Sequence, residues 1–163
     1  MPKEIERRFL VFMDGDVIPR LSTPGKRIIQ GYFACVIPTT RVRIVQSQIV
    51  GKVNTATKEQ AFLTLKGVKI SHTCDEYEYE IPVKDAREML EKWAEWRLEK
   101  TRYQVGPWEV DVFAGPLDGL VIAEIELPSE DVEFARPEWL GPELTNAVWS
   151  NLSLAKYGRP TKI

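Results

Sequence analysis

Paired like charges two residues apart, with an uncharged residue between them, recur along this chain and limit what it can fold into. Glu4 and Glu6, Arg41 and Arg43, Glu78 and Glu80, Lys100 and Arg102, Glu109 and Asp111, and Glu124 and Glu126 all show the spacing. In an extended strand successive side chains alternate faces, so each pair projects from one face with its members about 6–7 Å apart. One such strand is an ordinary solvated edge. A whole series is different, because antiparallel sheets facing water spread charges of mixed sign. A barrel of about eight strands offers another place for them, an interior that side chains fill or that holds one small ligand. Turned inward, Arg8, Arg41, Arg43, Lys66, Lys100 and Arg102 confront Glu4, Glu6, Glu78, Glu80, Asp111, Glu124 and Glu126. Burying so many charges without compensation is prohibitive. Water, divalent cations and a polyanionic ligand would supply it. Oxygen-only ligands suit Mg²⁺ or Mn²⁺ better than zinc, and Arg and Lys clusters suit phosphate oxygens. The pattern implies a tunnel for a metal-bound, multiply charged phosphate chain.

The order of elements agrees with such a barrel. Alternation predicts strands over 4–11, 26–36, 39–46, 60–67, 75–83, 98–105, 107–114 and 120–127. Asp14-Gly15-Asp16 and Thr23-Pro24-Gly25 supply turn chemistry between the first two, Pro38 breaks the second from the third, and the polar stretch 48–57 reads as a turn or short hairpin. The clearest helix is 85–96, with Asp85 as N-cap, Glu88 completing a capping box, and Ala86, Met89, Leu90 and Trp93 sharing a core-facing stripe. After the prolines and glycine of 128–142, a shorter helix is expected within 145–157, its Trp149 and Leu154 packing on the sheet.

Composition narrows the chemistry. A chain of 163 residues fits one domain, 1–163, with a substantial core. Its 22 Lys plus Arg nearly cancel 24 Asp plus Glu, so no global basic field invites nucleic acid and any anion site is local. No segment approaches the roughly 20 apolar residues that span a bilayer, so no membrane association and a cytoplasmic location are expected. Cys35 and Cys74 sit in no zinc-type cluster and read as buried free thiols. His72 is the single histidine, which leaves little room for nucleophilic triads or histidine-rich zinc hydrolases.

Eight stretches, in this order, carry a family resemblance: Glu4-Ile5-Glu6-Arg7-Arg8, Gln30-Gly31-Tyr32, Arg41-Val42-Arg43, Leu65-Lys66, Glu78-Tyr79-Glu80, Lys100-Thr101-Arg102, Trp108-Glu109-Val110-Asp111 and Ala123-Glu124-Ile125-Glu126-Leu127. Over nearly its whole length the chain resembles the CYTH superfamily, the triphosphate tunnel metalloenzymes. That superfamily's N-terminal E-x-E-x-K strand is matched at both acids, while Arg8 stands where it has lysine. The resemblance implies a mostly β fold, a closed antiparallel barrel of eight strands with helices outside.

It also implies roles. Glu4, Glu6 and one of Glu124 and Glu126 would hold a Mg²⁺ or Mn²⁺ ion. Glu78, Asp111 and the other member of that pair are candidates for a second metal or for positioning the attacking water. Arg8, Arg41, Arg43, Lys66, Lys100 and Arg102 would grip phosphate oxygens. In such a site catalysis is mainly positioning and electrostatics. The implied activity is metal-dependent hydrolysis of a small-molecule triphosphate, inorganic tripolyphosphate first, because no separate base-recognition module is evident. Tyr32, Tyr77, Tyr79 and Trp108 could stack on a base, but strand aromatics more often serve the core. A class IV adenylate cyclase is the second enzymatic reading. A non-catalytic triphosphate-binding module is the third, motivated by Arg8, which keeps a charge but cannot act as a compact ammonium. A homodimer is compatible with all three.

Overall fold

Alternation along the chain becomes one antiparallel sheet in the computed structural model, which describes residues 3–12, 24–34, 37–50, 55–68, 70, 73–129 and 131–162. Its strands are β1 (Lys3–Val11), β2 (Lys26–Tyr32), β3 (Thr39–Val50), β4 (Thr55–Lys66), β5 (Thr73–Ile81), β6 (Trp96–Val105), β7 (Trp108–Phe113), β8 (Val121–Glu126) and β9 (Leu140–Glu143). Helix α1 (Val83–Lys92) separates β5 from β6, and α2 (Asn151–Tyr157) follows a 3-10 turn at Ala147–Trp149. The strand order is β5-β4-β3-β2-β6-β7-β8-β1-β9, and β5 also pairs with β1, Glu4 lying opposite Cys74. That pairing brings the two ends of the eight-strand order together and makes the expected barrel.

The ninth strand has no signature in the sequence. Leu140–Glu143 contains Gly141 and Pro142, and it pairs because β1 leaves an edge open beyond its contact with β5, with Phe9 opposite Glu143 and Val11 opposite Leu140. An edge tolerates proline because no donor is required on its outer side. Arg7 secures the addition, its Nε donating to Glu143 Oε1 at 2.7 Å.

Two apolar clusters lie on the outer face. Phe9, Trp108, Val110, Ala123, Ile125 and Trp139 pack together, with Trp108 edge-on to Phe9 and Trp139 at 5.6 and 5.8 Å between ring centroids. Val42, Ile44 and Ala61 pack under Ala86 and Leu90 of α1. A third cluster has the inward parity. Leu10, Leu98, Phe113 and Ile122 continue the rows of Arg8, Lys100, Asp111 and Glu124, and meet Trp149 and Leu154. Hydrophobic packing therefore fills one end of the barrel and leaves the charges the rest.

Several local expectations are corrected. The first helix begins at Val83 with Pro82 as N-cap and no side-chain cap, so Asp85 lies inside the first turn, where the helix dipole favours an acid. Glu88 pairs with Lys92 instead of closing a capping box. Trp93 is 59% exposed and edge-on to Phe33, because the helix ends at Lys92 and the chain turns away to start β6. Within 48–57 the hairpin reading holds, since β3 and β4 pair antiparallel out to Val50 and Thr55, a ladder that backbone hydrogen bonds sustain without a hydrophobic pattern, and 51–54 lie outside the described residues. The second strand stops at Tyr32 rather than 36. The second helix starts only at Asn151, capped by Ser150, whose hydroxyl accepts from the Ser153 amide. Asp14-Gly15-Asp16, Cys35 and His72 lie outside the described residues. Cys74 is buried, its Sγ donating to the Gly67 carbonyl at 3.5 Å, and no helix among the described residues is long and apolar enough to cross a membrane.

Gly31 explains one of the short motifs. A Cβ there would lie 2.6 Å from Ala94 Cβ and 2.7 Å from Leu90 Cδ2, so the missing side chain is what lets α1 and its C-terminal turn close on β2. Gly31→Ala is expected to cost about 1–3 kcal/mol, read as a lower urea midpoint with unchanged slope.

Candidate functional site

Strand register assembles the charged rows. On β1 and β8, Glu6 is opposite Glu126 and Arg8 opposite Glu124. Asp111 on β7 faces Arg102 on β6, and Glu109 faces Glu124. On the other wall Thr64 and Lys66 of β4 face Glu78 and Glu76 of β5. These rows line a cavity of about 340 Å³ reached by Glu6, Arg8, Arg41, Arg43, Lys66 and Arg102, among others. A second cavity of about 580 Å³ adjoins it, sharing Glu6, Arg8, Arg41, Lys66 and Asn151 and adding uncharged side chains such as Tyr32, Leu144 and Leu152.

One wall is a closed ion-pair network. Arg102 holds Asp111 with two nitrogens, Nε to Oδ1 at 2.6 Å and Nη2 to Oδ2 at 2.7 Å, and reaches Glu124 Oε2 at 2.8 Å. It also pairs with Glu109. Lys100 donates to the second Asp111 oxygen, and both residues are wholly buried, so they stand behind the cavity wall rather than on it. Arg8 completes the network. Its Nη2 lies 2.7 Å from Glu124 Oε1 and 3.0 Å from Glu6 Oε1, while Nη1 donates to the Trp149 carbonyl at 2.9 Å. Burial works against charge on Arg8, but Glu124, Glu6 and Asp111 together outweigh it and raise its pKa. Burial likewise opposes ionisation of Glu124, yet Arg8, Arg102, Lys100 and Lys66 hold that carboxylate well below the usual range.

The opposite wall is less balanced. Arg41 Nη2 donates to Thr64 Oγ1 at 3.0 Å and approaches Glu78 and Glu76 at 3.2 and 3.4 Å. Lys66 pairs with Glu76 at 2.8 Å. Arg43 has only a neutral partner among the described residues, its Nε donating to Gln30 Oε1 at 3.2 Å. Burial, with Arg41 and Arg102 nearby, pulls its pKa down to about 10. On this wall the Nε of Arg41 is buried without a hydrogen-bond partner among the described residues, as is that of Arg8 on the first wall. This wall has guanidinium capacity to spare.

Most expected site residues meet here. Glu6, Arg8, Arg41, Arg43, Lys66, Glu78, Arg102, Glu124 and Glu126 line the cavity. Lys100 and Asp111 touch it only through Arg102 and the Glu124 network. Glu4 lies in register beside the site, but its side chain is outside the described residues. Glu80 is exposed at the strand end, taking a hydrogen bond from Gln60. Glu76, outside the expected inward set, also lines the cavity, and its parity with Glu78 is the signal for it; Gln30, Thr64 and Asn151 carry no such signal. Among the aromatics, Trp108 is buried in the outer core, Tyr77 and Tyr79 are 40% and 58% exposed, and Tyr32 alone lines a cavity.

The donor set fits a hard divalent cation. Glu6, Glu109, Glu124 and Glu126 bring only carboxylate oxygens to the charged cavity, and among the described residues no histidine or cysteine lines it. Among the described residues no three metal-ligating side chains are already gathered into a cage. The oxygens of Glu124 are shared between Arg8 and Arg102.

No family model matches the chain. It is 41% identical over 151 residues to an inorganic triphosphatase of Acetivibrio thermocellus, covering 89% of this chain and 87% of that protein. It is 33% identical over 153 residues to an inorganic triphosphatase of Nitrosomonas europaea, covering 87% and 89%. A crystal structure of an inorganic triphosphatase superposes with a TM-score of 0.58 at 32% identity over 95% of both chains. A hypothetical protein of Pyrococcus furiosus shares the fold, with a TM-score of 0.52 at 20% identity over 78% of this chain and 80% of that one.

Lys100 makes the buried network pH-sensitive. Burial, aided by Arg102 and Arg43 and only partly offset by Asp111 and Glu124, lowers its pKa from 10.5 to about 8. The unfolded chain therefore binds more protons than the folded one between those values, and stability from this group rises with pH across that window. Relative to Lys100→Met, the wild-type chain is expected to gain up to about 3 kcal/mol between pH 8 and 10.5, read from urea unfolding at a series of pH values.

Proposed function

The chain belongs to the inorganic triphosphatases of the CYTH superfamily, and from that premise we propose that it hydrolyses inorganic tripolyphosphate to pyrophosphate and orthophosphate with Mg²⁺ or Mn²⁺. The observation that carries this reading is Arg43, a guanidinium on the cavity wall with no ion pair among the described residues, beside Arg41 and its unsatisfied Nε. A cation left without a counter-charge in a half-enclosed cavity is costly. A polyanion relieves that cost.

Arg41, Arg43 and Lys66 bind the phosphate chain from one wall, and Arg102 from the other. Asp111, held by Lys100 and two nitrogens of Arg102, keeps that guanidinium from swinging as charge shifts on the substrate. The water oxygen bonds to the terminal phosphorus while the bridging P–O bond breaks, and the leaving pyrophosphate takes up negative charge. Fixed guanidinium donors stabilise that charge without reorganising. Glu4, Glu6, Glu124 and Glu126 are the residues that would hold the divalent cation, with Glu78 positioning water. When bound, that cation screens the phosphate charge and orients the chain for in-line attack. Inorganic substrate is favoured over a nucleotide because Trp108 is buried and Tyr77 and Tyr79 lie off the tunnel, leaving no aromatic pair among the described residues to clamp a base.

Purified protein with Mg²⁺ or Mn²⁺ is expected to release orthophosphate from tripolyphosphate much faster than from ATP, and none in EDTA. Arg43→Ala should lower kcat/KM at least about 100-fold, whereas Arg27→Ala, which breaks an exposed pair with Glu99, should leave it unchanged. Cyclic AMP from ATP would transfer the site to cyclisation; ligand-induced stabilisation without product would make it a binding module.

A further inference from the structure

Arg8 occupies an unusual position, because it bridges groups that belong to different parts of the site. One terminal nitrogen contacts Glu6 at 3.0 Å and Glu124 at 2.7 Å, and the other is fixed on the Trp149 carbonyl at 2.9 Å. Trp149 is itself 3% exposed, in the apolar cluster that fills one end of the barrel. The guanidinium is thus anchored from behind by the hydrophobic plug and presented to two carboxylates at the front. An ammonium at this place would have a flexible stem and no planar fork to span the three partners in one geometry.

We propose that Arg8 is a built-in competitor of the divalent cation, holding with its guanidinium one oxygen of Glu6 and one of Glu124 that the cation must take, and anchored there by the Trp149 carbonyl. The inference rests on the reading that these carboxylates are the cation ligands. Two positive charges cannot share the same oxygens at contact distance without a large repulsion. Cation loading therefore requires Arg8 to release Glu6, Glu124 or both. Its Nε, buried and unpartnered among the described residues, and the released terminal nitrogens then turn from the carboxylates to phosphate oxygens. Arg8 keeps the carboxylates together before the cation and its substrate arrive, and sets how much cation is needed to replace it.

The test is Mn²⁺ binding by the full chain without any phosphate, followed by the loss of the free-ion paramagnetic resonance signal. Arg8→Met removes the competing charge and should bind Mn²⁺ about tenfold tighter or more. Arg8→Lys keeps a charge without the fork and should fall between the two. Without metal, Arg8→Met should melt below wild type, and saturating Mn²⁺ should close that gap, which a purely structural role would not produce. Guanidinium ion at millimolar concentration should compete with Mn²⁺ in Arg8→Met and not in wild type. Unchanged or weaker Mn²⁺ affinity in both Arg8 variants, with Glu6→Gln and Glu124→Gln binding poorly, overturns the competitor role and leaves the carboxylate site standing. Unchanged affinity in Glu6→Gln and Glu124→Gln overturns the carboxylate site, and the role of Arg8 with it.

Discussion

A wholly buried aspartate between two cations is the interaction on which the site depends. Asp111 accepts from Lys100 and from two nitrogens of Arg102, and through Arg102 this geometry extends to Glu124 and then to Arg8 and Glu6. Each member alone would be an expensive buried charge; joined, they satisfy one another's donors and acceptors. Removing one partner leaves the others uncompensated, so the network behaves as one object. That rigidity serves the chemistry, because donors fixed before substrate binds need no reorganisation when charge moves.

The barrel can accommodate such a network because its apolar side chains are placed elsewhere. Phe9, Trp108 and Trp139 pack outside, under the segment that carries β9, and Val42, Ile44 and Ala61 pack under α1. Only at one end does the inward face become apolar, where Leu10, Leu98, Phe113 and Ile122 meet Trp149 and Leu154. The same strands therefore build a dry plug and a charged cavity, divided simply by position along each strand. Arg8 marks the boundary, with one nitrogen on the backbone of the plug and another on the carboxylates.

The two walls of the cavity are electrostatically unequal, and that inequality is what separates a binding site from a structural salt-bridge cluster. The β6, β7 and β8 wall is closed on itself. Among the described residues, the β3 and β4 wall keeps Arg43 without a counter-charge and Arg41 with an unfilled donor. A fold selected only for stability would gain by replacing such groups with packed hydrophobic residues. Their presence marks where a polyanion is expected.

Much of this was legible before any coordinates. Strand parity follows from backbone geometry alone, so it placed Arg41 with Arg43, Lys100 with Arg102, Glu109 with Asp111 and Glu124 with Glu126 on common faces, and their number implied a barrel. Parity says nothing about depth, however, because every residue of a row has the same direction whatever its height in the barrel. Hence Lys100 and Asp111 read as equals of Arg102, and Glu80 as the equal of Glu78, although the first two are buried behind the wall and Glu80 lies off the cavity that Glu78 lines. Nor does it identify partners across the barrel. That Arg8 would bridge Glu6, Glu124 and the Trp149 carbonyl, and that Leu140–Glu143 would become a strand, depended on which edges and surfaces were left open once the other strands had closed. The sequence by itself determined which side chains share a face, since that is a local property of an extended backbone. Only the tertiary structure decided which of them meet, because contacts between residues far apart in the chain depend on strand register and barrel closure.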